Sequence, residues 1–131
     1  MRNPNLFIAQ STLGGRGVFT HEPIKSGDLI EICPVIVMKR GDKDALDTTT
    51  LYDYYFLWGD DEEQCALALG YGSLYNHFAP SNADYFMDFD AQTIEIRAVK
   101  YIDAGKEITI NYHGEPKNAA PTWFMTDDRK R

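Results

Sequence analysis

A chain of 131 residues with 44% hydrophobic and 25% charged residues predicts one globular domain that buries about two-thirds of its unfolded surface, which excludes disorder over most of its length. Thirteen basic against twenty acidic residues give a net charge of −7, a balance that repels nucleic-acid phosphates and suits cationic partners. Two cysteines outside any CxxC pair exclude a thiolate zinc scaffold and read as buried small hydrophobes.

In chain order the first predicted strands are Leu6–Ala9 and Val18–Thr20, separated by the glycine-rich turn Gly14-Gly15-Arg16-Gly17. Leu29–Met38 follows as a long strand, broken or edge-like at Pro34 because proline has no N–H to give a ladder. A helix is predicted over Asp42–Tyr52, weakened by the β-branched run Thr48-Thr49-Thr50. Short strands are then expected at Tyr54–Trp58 and Cys65–Leu69, a helical turn at Gly72–Asn76 and a strand at Tyr85–Phe89. The last two strands are the clearest: Thr93–Ala98 and Glu107–Tyr112 alternate apolar and polar residues, the period of a half-buried strand. The whole reads as a mostly β domain of several small sheets over residues 1–114, with a C-terminal tail over 115–131 ordered in part through Trp123-Phe124. No run of apolar residues approaches the ~20 of a membrane span, and no apolar leader follows Met1. The expectation is therefore a soluble cytoplasmic protein, monomeric or homodimeric, bound neither to membrane nor directly to nucleic acid, with a nuclear or host-nuclear location left open.

Three segments could carry chemistry. Glycines at Gly15-Arg16-Gly17 permit positive φ and close approach of backbone to a ligand. Asn76-His77 places two hydrogen-bonding side chains where regular structure gives way to loop. Tyr112 closes the last predicted strand, opposite in parity to Asn111. Taken singly, each has a plain reading as turn, cap or packing residue. The aromatic cluster Tyr52, Tyr54, Tyr55, Phe56 and Trp58 reads either as core or as the wall of an apolar channel. A hydrolytic set of Cys65, His77 and Asn76 can also be written, although the thiol lies in an apolar strand.

Together, and in this order, the three segments resemble the SET-domain family of S-adenosylmethionine-dependent methyltransferases. The matching stretches are Gly15-Arg16-Gly17-Val18-Phe19, then Leu74-Tyr75-Asn76-His77 through Asn82-Ala83, then Gly105-Lys106-Glu107-Ile108-Thr109-Ile110-Asn111-Tyr112, so the likeness runs over about residues 6–114. Where the family usually has Asn-His-Ser-Cys this chain has Asn76-His77-Phe78-Ala79. The cysteine-rich flanking segments of many histone-directed members have no counterpart here, so the chain is similar to the small bacterial and viral forms.

The resemblance implies a β-clip-like arrangement whose C-terminal segment threads beneath a preceding loop. It implies transfer of a methyl group from S-adenosylmethionine to a lysine ε-amine of a basic protein, such as a lysine-rich or histone-like tail. Tyr112 would be the catalytic tyrosine. Gly15, Arg16, Gly17, Asn76, His77, Tyr112 and Trp123 would contact the cofactor, with Trp123 or Phe124 either stacked on the adenine or packed as a tether. No metal is implied. The alternative is a non-catalytic SET-like module that binds basic protein segments.

Overall fold

The computed structural model describes residues 1–59 and 64–112. The acidic run Asp60–Glu63 and the tail with Trp123 and Phe124 lie outside the described residues.

Among the described residues nine strands make two sheets. The first has the order β1-β2-β9-β6, built from β1 (Leu6–Gln10), β2 (Arg16–Thr20), β9 (Glu107–Ile110) and β6 (Asn76–His77). The second has the order β4-β5-β3-β8-β7, from β4 (Phe56–Trp58), β5 (Gln64–Ala68), β3 (Leu29–Met38), β8 (Thr93–Ala98) and β7 (Ala83–Asp88). In β8 the alternation of the sequence becomes alternation of burial: Ile94, Ile96 and Ala98 enter the core, while Thr93, Glu95 and Arg97 stay partly exposed. The isoleucines at 30, 94, 96, 102, 108 and 110 form, with Val18 and Tyr75, one continuous core cluster. Aromatic side chains bridge the two edges of the second sheet, with Phe56 of β4 lying 5.2 Å from Tyr85 of β7 and Trp58 lying 5.1 Å from Phe89, both edge to face.

Three expectations are corrected. Pro34 does not break β3. Residues up to Pro34 pair with β8 and residues from Val35 pair with β5, so the residue without an N–H stands at the handover between partners. The helix stops early: α1 covers Asp42–Leu46 only, because the hydroxyls of Thr48 and Thr49 donate to the carbonyls of Ala45 and Leu46. Thr49 then caps a separate 3-10 turn over Thr50–Asp53 by accepting from the Leu51 N–H. The helical turn at Gly72 ends at Leu74, Tyr75 is extended, and Asn76–His77 is strand.

The last strand lies between two earlier ones, antiparallel to β2 and parallel to β6. The chain that leaves β6 crosses it again. The Phe78 N–H donates to Ile110 O, and the Asn82 side chain imitates a strand by donating from Nδ2 to Glu107 O and accepting from the Thr109 N–H, each at 2.8 Å. This is the threading of a late segment under an earlier loop. Because the contact at position 78 is made by backbone, Phe78 in place of the usual serine leaves it intact.

Candidate active site

The threading brings the three sequence segments together. Gly14 and Gly15 have φ of +131° and +55° and turn the chain from β1 into β2. The Asn76 side chain reaches that turn from the other edge of the sheet. It is 4% exposed, and its Nδ2 donates to Arg16 O at 3.1 Å, to Gly14 O at 3.4 Å and to Glu107 Oε2 at 2.9 Å. The second carboxylate oxygen of Glu107 accepts from the Ser11 hydroxyl at 2.6 Å, and that hydroxyl accepts in turn from the Leu13 N–H. Gly17 is needed for a reason of space: a Cβ there would collide with the Glu107 carboxylate and stand 3.0 Å from Asn76 Nδ2. Asn76 and Glu107 thus brace the glycine turn from inside, leaving the Arg16 side chain exposed.

Tyr112 lies two residues beyond β9, which ends at Ile110 rather than continuing to the tyrosine. It is half-buried and is gripped by the segment around β6. Its hydroxyl donates to Tyr75 O at 2.9 Å, its N–H donates to His77 Nδ1 at 3.2 Å, and its ring lies 5.3 Å from the imidazole. The Tyr85 hydroxyl donates to Tyr112 O at 3.5 Å. Of the residues named from sequence, Gly15, Arg16, Gly17, Asn76, His77 and Tyr112 converge on one region, whereas Trp123 lies outside the described residues. Sequence reasoning passed over Ser11, Glu107 and Tyr75. Glu107 sat inside a quoted motif, but nothing in its local pattern marked a carboxylate turned inward.

The hydrolytic set does not form. Cys65 is fully buried in β5 of the other sheet, and burial pushes its thiol pKa up, as it does for Cys33. Of the aromatic cluster, Tyr55, Phe56 and Trp58 are buried, and the Tyr55 hydroxyl donates to Asp47 at 2.6 Å. Among the described residues no group of three or more His, Cys, Asp or Glu could hold a metal ion, and no helix is long and apolar enough to cross a membrane.

Two sheets with the last strand threaded beneath the segment that carries Asn76 and His77 define a class of fold. Residues 15–113 match the SET domain family, and the chain belongs to it. It is 32% identical over 113 residues to the histone-lysine N-methyltransferase, H3 lysine-37 specific, of Schizosaccharomyces pombe, which spans 86% of this chain and 75% of that protein. By class it is an enzyme, a SET-type protein-lysine methyltransferase. A crystal structure from Plasmodium falciparum described as a proposed histone methyltransferase superposes with a TM-score of 0.60 at 28% identity, over 93% of this chain and 98% of that one. The S-adenosylmethionine-bound, autoinhibited ctPRC2 shares the fold, with a TM-score of 0.69 at 19% identity, over 86% of this chain but 16% of that one.

Proposed function

We propose that this chain transfers a methyl group to a lysine ε-amine of a basic protein, with a histone-like tail as the substrate and Tyr112 as the catalytic tyrosine. The observation that carries the reading is the double grip on Tyr112: hydroxyl and N–H are both held by residues flanking Asn76, the residue that also braces the glycine turn. The arrangement suits S-adenosylmethionine. The carbonyls of Gly14, Gly15 and Arg16 accept from Asn76 Nδ2 and the Ser11 N–H, and Gly17 has no side chain to push the Glu107 carboxylate and Asn76 away from the turn. Residues Gly15, Arg16 and Gly17 would hold the cofactor by backbone, with Asn76 and His77 behind it, and Trp123 is proposed as a further contact. S-adenosylmethionine supplies an electrophilic methyl group.

The rest of the chemistry belongs to the protein and its substrate. A lysine amine with an ordinary pKa near ~10.4 is mostly protonated at neutral pH and has no lone pair to give. The half-buried aromatic surroundings of Tyr112, with Tyr85 beside it and Phe56 packed on Tyr85, disfavour the ammonium by desolvation. With its proton shed to solvent the amine is a nucleophile, and the Tyr112 hydroxyl, fixed on Tyr75 O, orients it. No histidine is needed as a base, and His77 is engaged as an acceptor for the Tyr112 N–H. The net charge of −7 favours approach of a basic tail. A nuclear location fits such a substrate.

Calorimetric titration with S-adenosylmethionine, followed by tritiated methyl transfer to purified core histones and to a mixture of basic peptides, tests the reading. Binding with transfer to lysine is expected. Binding without transfer to any basic protein would return the chain to the non-catalytic module, and no binding would remove the cofactor site.

A further inference from the structure

Behind the site lies a buried carboxylate that the reading above does not use. Glu31 of β3 is 2% exposed. Its Oε1 accepts from the Tyr75 hydroxyl at 2.7 Å and its Oε2 from the Tyr71 N–H at 3.1 Å. The Arg2 guanidinium lies 3.8 Å from Oε2 and 3.8 Å over the Tyr71 ring. Backbone bonds tether this cation's segment to β3: Ile32 N–H donates to Met1 O, and Asn3 N–H to Ile30 O. Space is cleared for the carboxylate as well, since Gly70, at φ +65°, would drive a Cβ into Glu31 Oε2. A buried carboxylate is costly unless donors and a counter-charge surround it, and here they come from two separate segments of chain, one at Arg2 and one at Tyr71–Tyr75.

Tyr75 links this cluster to the site. Its ring is fully buried and ends on Glu31, while its own carbonyl receives the Tyr112 hydroxyl and the next two residues along the chain are Asn76 and His77. Burial and the adjoining carboxylate push the Tyr75 pKa well up, so the phenol stays a donor throughout the working pH range. We infer that Arg2, Glu31 and Tyr75 are positioning residues for Tyr112: the Arg2–Glu31 pair fixes the Tyr75 side chain, and through it the peptide carbonyl on which the Tyr112 hydroxyl rests. The inference builds on the reading of Tyr112 as the catalytic tyrosine.

The test uses the full chain labelled with 13C at the tyrosine Cζ, in which the Tyr112 resonance is assigned by its loss in Tyr112→Phe. The variants are Tyr75→Phe, Glu31→Gln, Arg2→Ala and Arg2→Lys. The first two should shift the Tyr112 resonance without any cofactor present and lower kcat on core histones by about three- to tenfold, since small displacements of an orienting group are felt in rate. KM for S-adenosylmethionine should stay unchanged. Arg2→Ala should give a smaller change in the same direction, and Arg2→Lys should restore most of it. Folded Tyr75→Phe and Glu31→Gln proteins with the Tyr112 resonance and kcat of the parent would overturn the inference. If those two do not fold, the Arg2 pair decides, because that side chain is 42% exposed and its loss does not open the core; no shift in Arg2→Ala then counts against the inference. Wild-type turnover in Tyr112→Phe, beside a shifted Tyr112 resonance in Glu31→Gln, would instead sink the catalytic role of Tyr112 and leave the positioning intact.

Discussion

At the scale of single residues the most informative is Tyr112, whose hydroxyl donates to Tyr75 O. Tyr112→Phe keeps the ring and its place against His77. Loss of one preorganised polar group at a site of developing charge, here the hydroxyl oxygen that is fixed by donation of its proton to Tyr75 O, typically costs ~2.7–4 kcal/mol of barrier, a rate about a hundred- to a thousandfold lower. We expect that loss in kcat, with S-adenosylmethionine affinity retained by calorimetry and the melting temperature within a few degrees of the parent. The cysteines make an opposite case. Both are fully buried with pKa values raised first by desolvation, so little thiolate forms and little reagent arrives. Neither should react with a disulfide reagent in the native protein, and both should react at once in denaturant; rapid labelling of the folded chain would contradict the burial. Their sequence surroundings already marked these cysteines as hydrophobes. Glu31 could not be read that way, because Leu-Ile-Glu-Ile-Cys looks like any strand with one polar residue turned to water, and its partners Arg2, Tyr71 and Tyr75 lie far from it in the chain.

At the scale of elements, legibility follows length. The six residues of β8 hold three full periods of alternation, enough to declare a strand. The two residues of β6 hold one, and β6 exists because β9 offers it a parallel edge at Thr109 and Ile110. The same dependence on tertiary context stopped α1 at Leu46 and left β3 unbroken at Pro34. The brace between β2 and β9 yields a test. Gly17→Ala sets a methyl group against the Glu107 carboxylate and Asn76, and such overpacking typically costs ~1–3 kcal/mol. We expect a lower denaturation midpoint together with weaker S-adenosylmethionine binding, because the glycine turn is displaced. Shortening the partner in Gly17→Ala/Glu107→Ala should recover part of the stability, a non-additivity expected of residues in contact. Strict additivity in the double mutant would show that the two side chains do not meet.

At the scale of the whole molecule, charge and fold set the conditions of activity. The neutral fraction of a lysine with a pKa near ~10.4 rises about tenfold per pH unit below that value. With no histidine base in the scheme, kcat/KM for a basic peptide should climb steadily from about pH 7 to 9. A bell centred near pH 6 would demand a titrating histidine and rule the scheme out. The peptide's KM should rise with salt as the attraction of a −7 chain is screened. One feature of the topology reaches beyond the assay tube. β9 lies between β2 and β6, and nearly ninety residues of chain separate Val18 from its partner Ile108. Contacts so distant along the chain form late. A nascent polypeptide emerging from the ribosome therefore carries the glycine turn and Asn76 long before it carries Glu107 to brace them or Tyr112 to act. Fragments that end before residue 107 are expected to transfer no methyl group, since they lack both the Glu107 brace and the proposed catalytic Tyr112.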